Sequence, residues 1–118
     1  MLSGRSLYFI IGVAVVSMAS AQEDAKYIHY GNKLFHSGMI SESAAAYTHA
    51  LELNPTNRKA NFNLGNALYR NAMLLKEGKV SIPGNINMTG DSLSNLIIDK
   101  AAENFAVVAN SVSDKDTL

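Results

Sequence analysis

The 118-residue sequence contains no cysteine and no tryptophan, and only two prolines. Without cysteine there can be no disulfide framework, no thiolate metal site and no lipid-modified cysteine anchor. Neither sign of charge dominates: ten lysines and arginines stand against ten aspartates and glutamates. Net charge therefore steers the chain toward neither nucleic acid nor an acidic ligand. Three histidines are present, but His29 and His36 are seven residues apart, too far to chelate one ion without ligands from elsewhere. No His-Glu-x-x-His spacing occurs. No serine sits in a Gly-x-Ser-x-Gly elbow, the carboxylates are scattered, and no Gly-rich loop follows a strand. These absences point away from an enzyme: no catalytic residue, cofactor or metal is expected.

The first 21 residues have their own grammar. Arg5 and the amino terminus precede the apolar run Leu7–Val16, and Ala19-Ser20-Ala21 supplies the small-x-small pattern that a signal peptidase reads. The run is short for a bilayer span, which needs roughly 20 apolar residues. Residues 1–21 are thus expected to form a separate signal helix and to direct export to the periplasm. The alternative is anchorage to the inner membrane through an uncleaved segment.

The rest of the chain is built on an internal echo. Tyr27-Ile28-His29-Tyr30-Gly31-Asn32-Lys33-Leu34-Phe35 returns as Asn61-Phe62-Asn63-Leu64-Gly65-Asn66-Ala67-Leu68-Tyr69, with Gly65 placed 34 residues after Gly31. In the first copy, apolar and aromatic residues recur at three- and four-residue spacing, predicting a helix over Ala25–Ser37. Gly31 lies mid-helix, where glycine costs about 1 kcal/mol against alanine, so close approach of a second helix is expected there. Gly38 suits a left-handed helix end. Ser41 is the expected cap of a second helix, Glu42–Leu53, in which Ala44, Ala45, Ala46 and Ala50 allow close packing while Tyr47 and Leu51 fill gaps. Asn54-Pro55 ends it.

In the second copy, Asn57 is the expected cap and Gly65 repeats the close-contact position. Asn61 replaces an aromatic and is expected to weaken packing. Ala72 stands where Gly38 stood, so the helix is expected to run on to Gly78. Loop vocabulary fills residues 78–90 (GKVSIPGNINMTG), and Asn87-Met88-Thr89 matches a glycosylation sequon. Asp91 or Ser92 is the expected cap of a last helix whose stripe is Leu93, Leu96, Ile97, Ala101, Phe105, Val108 and Val112. Phe105 aligns with Tyr47 and Val108 with Ala50 once a 24-residue insertion is allowed, about six residues lengthening the first helix and eight the second.

A Gly-Asn-x-Leu-aromatic block with a 34-residue period resembles the tetratricopeptide (TPR) family. Tyr27, Gly31, Leu34, Gly38, Tyr47, Ala50-Leu51 and Leu53-Asn54-Pro55 fall in the family's slots; Tyr30 and Ser43 depart from it. The resemblance implies an all-α fold of antiparallel helix hairpins in an α-solenoid superhelix, with repeats at 24–57 and 58–113 and residues 114–118 leading toward a third. Repeat packing would then rest on Tyr27, Gly31, Leu34, Tyr47, Ala50, Leu64, Gly65, Leu68, Ala101 and Phe105. The chain ends where a third repeat would begin, so it is expected to be a truncated array. Otherwise its open last face would be covered by a partner or by self-association.

The family's first helices line a concave groove, which here implies partner contacts from Ile28, Asn32, Phe35, His36, Lys59, Phe62, Asn63, Asn66, Tyr69 and Arg70. The implied function is a non-catalytic protein–protein scaffold. The combination of export signal and repeats resembles the TPR proteins of Bacteroidetes aerotolerance (Bat-type) operons, implying a von Willebrand A-type membrane protein as partner. Two other readings stay open: a co-chaperone-like receptor for peptide C-terminal carboxylates, and an accessory domain of a longer enzyme. Asn32 and Asn63 fit a carboxylate clamp, but Ile28 stands where its first lysine belongs. These asparagines would equally serve to bond neighbouring helices.

Overall fold

The computed structural model describes residues 22–82, 84 and 86–116; the expected signal segment lies outside them. Among the described residues the chain is all-helical. α1 covers 22–36, α2 Ile40–Leu53, α3 Arg58–Lys76 and α4 Gly90–Asp116. α3 packs on both α2 and α4. α1 and α2 form one hairpin, and α3 and α4 form the next.

Each helix buries a stripe set by the 3.6-residue period. α1 buries Asp24, Ile28 and Gly31; α2 buries Ile40, Ser43, Ala46, Tyr47 and Ala50; α3 buries Ala60, Asn61, Leu64, Gly65 and Ala67. Ile28, Ile40, Tyr47, Ala50, Ala60, Leu64 and Ala67 make one core, with Phe35, Ala44, Leu51, Leu68 and Leu74 packed against it.

The two hairpins share one packing device. A Cβ built at Gly31 would fall 2.5 Å from Cε1 of Tyr47, and one at Gly65 would fall 2.6 Å from Cε1 of Phe105. Each glycine is a notch for the aromatic of the following helix. What needs the space is the ring itself, whereas the sequence suggested helix-on-helix approach. Ser43 and its counterpart Ala101, 58 residues apart, are both fully packed, at 0% and 2% exposure.

Both first helices also end alike. At Gly38 (φ 81°) and Gly78 (φ 69°) the chain turns left-handed. The amide of Met39 reaches back to the carbonyl of Leu34, and that of Lys79 to Leu74, while the glycine amides bond Phe35 and Leu75. This is the Schellman arrangement. In the second hairpin it comes six residues later than the 34-residue period demands, because Ala72 occupies the period position. α4 begins eight residues before the position equivalent to Ile40, so both helices of this hairpin are longer than their counterparts.

Several local expectations are corrected. α1 is already helical at residue 22, ahead of Ala25. α2 begins at Ile40 behind Met39, with no side-chain cap, so Ser41 does not cap it; the tight turn at Gly38 leaves no room for a separate capping residue. Thr89, two residues before the expected Asp91 and three before Ser92, caps α4: its Oγ1 accepts from the Ser92 amide at 3.2 Å. Asn57 does cap α3, its Oδ1 accepting from the Ala60 amide at 3.0 Å.

Asn61 does not loosen the packing. It is 3% exposed, and its Nδ2 donates to the carbonyls of Pro55 and Asn57, at 3.0 Å each, pinning the α2–α3 link. Tyr27, expected in the packing, is more than a third exposed and rests on His49, the ring centroids 5.5 Å apart. Leu96 and Val112 drop out of the α4 stripe, at 56% and 41% exposure. Leu96 points off the buried line, and Val112 lies beyond the start of α3, which runs antiparallel. Two polar residues outside the expected stripe, Ser94 and Asn104, are buried; the Ser94 hydroxyl donates to the Ala72 carbonyl at 3.0 Å. α4 continues helical to Asp116, through residues expected to form a link. Among the described residues no helix is long and apolar enough to cross a membrane.

Candidate functional site

α1 and α3 lie side by side, and their shared face forms a groove of about 370 Å³. Asn32, Phe35 and His36 come from α1; Asn63, Asn66, Tyr69 and Arg70 come from α3. All seven were expected to meet a partner. The structure adds Tyr47 of α2 to this lining; the sequence marked it only as a packing residue.

Asn32 sits at the centre. Its Oδ1 accepts from the Tyr47 hydroxyl at 2.7 Å and from Asn63 Nδ2 at 3.0 Å. The asparagines therefore do join neighbouring helices. The Nδ2 of Asn32 and the Oδ1 of Asn63 have no partner among the described residues. An amide donor and an amide acceptor so held match the two hydrogen-bonding groups of an extended peptide backbone. Burial raises the Tyr47 phenol above its ordinary value of 10.0, so the hydroxyl stays a donor.

His36 is similarly oriented. Its Nδ1 lies 2.8 Å from the carbonyl of Asn32, four residues back. A carbonyl only accepts, so Nδ1 carries the proton, and Nε2 of the neutral ring is left as an acceptor. Tyr69 is half exposed, an aromatic surface beside Asn66. Arg70 has no carboxylate within ion-pair distance among the described residues, so its guanidinium is available to an anion.

The other expected contacts lie elsewhere. Ile28 is 6% exposed and belongs to the core; what it presents is the apolar floor of a second cavity of about 460 Å³, which Lys59 also lines. Phe62 lines neither cavity. Its ring meets Phe105 edge-on, centroids 5.9 Å apart, with half its surface exposed. Its position three residues before Gly65 turns it toward α4. Among the described residues no group of three or more histidine, aspartate or glutamate side chains is placed to hold a metal ion.

The comparison with protein families bears on this geometry. Residues 31–71 match a family model described as TPR repeat. The match runs from Gly31, in the second half of α1, through α2 to Asn71 in α3, so it contains every residue that lines the groove. It supports a TPR protein, with helix hairpins of the kind seen here, and TPR repeats generally mediate protein–protein interaction. Comparison with curated proteins and with solved structures returned no match.

Proposed function

We propose that the protein is a non-catalytic scaffold that holds an extended segment of a partner protein in the α1–α3 groove. The observation that carries this reading is the fixed amide pair: Asn32 and Asn63 are held in place by Tyr47 and by each other, each with one group that no described residue hydrogen-bonds. Phe35 and Tyr69 supply aromatic surface for the partner's side chains, and Arg70 supplies a cation. The binding role rests on the TPR-repeat match together with this geometry. We further propose that the protein works in the cell envelope after export, within an aerotolerance-type complex whose other member is a von Willebrand A-type membrane protein. The apolar run, the Ala19-Ser20-Ala21 site and the GNKLF and FNLGNALYR blocks support this finer reading.

The test is capture of the partner by the purified chain and by an Asn66→Ala/Tyr69→Ala variant. The variant is expected to lose capture with unchanged helicity. Unaltered capture would move the contact to the convex face or to the loop between α3 and α4. An unrelated set of neighbouring genes would remove the aerotolerance assignment and leave the scaffold.

The availability of Arg70 favours a second reading, a receptor for a C-terminal carboxylate. A free-acid peptide should then bind more tightly than its amide. Equal binding would leave the internal-segment reading.

A further inference from the structure

The second cavity holds a feature that the groove does not need. Asp24 is 3% exposed at the start of α1, yet it lines this cavity of about 460 Å³. Its Oδ2 accepts from Asn57 Nδ2 at 3.0 Å and Asn54 Nδ2 at 3.2 Å. Both donors are neutral amides. Among the described residues no lysine, arginine or histidine comes within ion-pair distance of the carboxylate, and none donates a hydrogen bond to Oδ1. Removing a carboxylate from water is costly unless a positive group compensates it. Here two neutral bonds fix the orientation of the group, no ion pair among the described residues matches its charge, and it lines a cavity that Lys59 and His29 also border. The floor is Ile28, apolar enough to carry an alkyl stem.

We propose that this cavity receives the guanidinium or ammonium head of a basic side chain from the bound partner, with Asp24 as its counter-ion. The inference rests on the groove reading and deepens it. The cavity and the groove share Asn32, so a segment crossing that residue reaches the Asp24 carboxylate on one side and the Arg70 guanidinium on the other. The partner segment therefore carries a base at one end and an acid or a free carboxylate at the other, and this fixes the direction in which it runs. Lys59, which also lines the cavity, disfavours a doubly basic ligand by like-charge repulsion.

The test is a titration of the full ¹⁵N-labelled chain with N-acetyl-arginine amide, followed by amide chemical shifts. The expected result is saturable movement of Asp24, Asn54 and Asn57, weakened by salt as for any charge pair. N-acetyl-citrulline amide, which has the same shape without the charge, should bind about tenfold or more weakly. The same loss is expected for arginine with Asp24→Asn, a variant that keeps an acceptor for Asn54 and Asn57 and whose fold is read from its own spectrum. Equal response to arginine and citrulline, or an unchanged response in folded Asp24→Asn, would overturn the proposal. Asn66, Tyr69 and Arg70 report separately in the same spectra when a free-acid or internal peptide is added. Failure at Asp24 is thereby distinguished from failure of the groove.

Discussion

Tyr47 lays its ring across Gly31 so closely that a Cβ there would stand 2.5 Å from Cε1 and 2.7 Å from Cδ1. An aromatic ring held on both sides cannot yield that distance cheaply. Gly31→Ala gains about 1 kcal/mol of helix propensity but overpacks the hairpin by about 1–3 kcal/mol. The expected result is a net loss of stability in urea unfolding. Gly65→Ala, against Phe105, should behave in the same way. Shrinking the ring in Gly31→Ala/Tyr47→Leu should recover part of the overpacking, a non-additivity that a double-mutant cycle measures.

Tyr47→Phe keeps the ring and deletes the bond to Asn32, for an expected cost of about 1 kcal/mol at neutral pH. The pH dependence has a definite sign. Burial raises this phenol in the folded state above 10.0, so its contribution is fully present below the ordinary value and is lost as pH rises through the folded one. Urea midpoints should fall above about pH 10, and less steeply in Tyr47→Phe than in the parent chain.

Asn57 carries two duties, capping α3 and donating to Asp24. Asn57→Ala should therefore cost more than an ordinary cap, about 2 kcal/mol. Asn54→Ala removes one of the Asp24 bonds but leaves the cap and should cost less. Thermal or urea unfolding of the two variants ranks them; equal losses would show that the cap is worth little here.

Lys79 stands 2.8 Å from Glu77 across the turn at Gly78. Its hydrogen bond and charge lower the Glu77 carboxyl from 4.5, with a smaller pull from Arg70. A lowered carboxyl favours the fold above its ordinary value, and the gain is lost as pH falls through the lowered one. The pair is open to water, so Lys79→Ala should return the Glu77 titration toward 4.5 in side-chain NMR with almost no change in the unfolding midpoint.

Much of the architecture was legible because it depends on period. The 34-residue offset related Gly31 to Gly65, and the alignment paired Phe105 with Tyr47; that each ring fills the glycine notch of its own hairpin came only from the fold. What escaped was polar. Asp24 carries a charge and reads as solvent-facing; only the fold brings Asn54 and Asn57 to it from more than 29 residues away. Asn61 looked like a lost aromatic, whereas its amide ties two carbonyls that the turn would leave open. Ile28 and Phe62 were placed by analogy of slot, which does not register that one faces the core and the other meets Phe105 of α4. In the groove itself, the residues on neighbouring turns of α1 and α3 were found, and Tyr47 was missed because one side chain serves both the core and the surface.

That double service separates the two hairpins. The first ring ends in a hydroxyl that grips the amide facing the groove; the second is a phenylalanine and grips nothing. Occupancy of the groove should thus clamp α1 onto α2, slowing hydrogen exchange along both helices while leaving α4 as it was. Affinity and local opening of the amino-terminal pair are then two readings of one equilibrium.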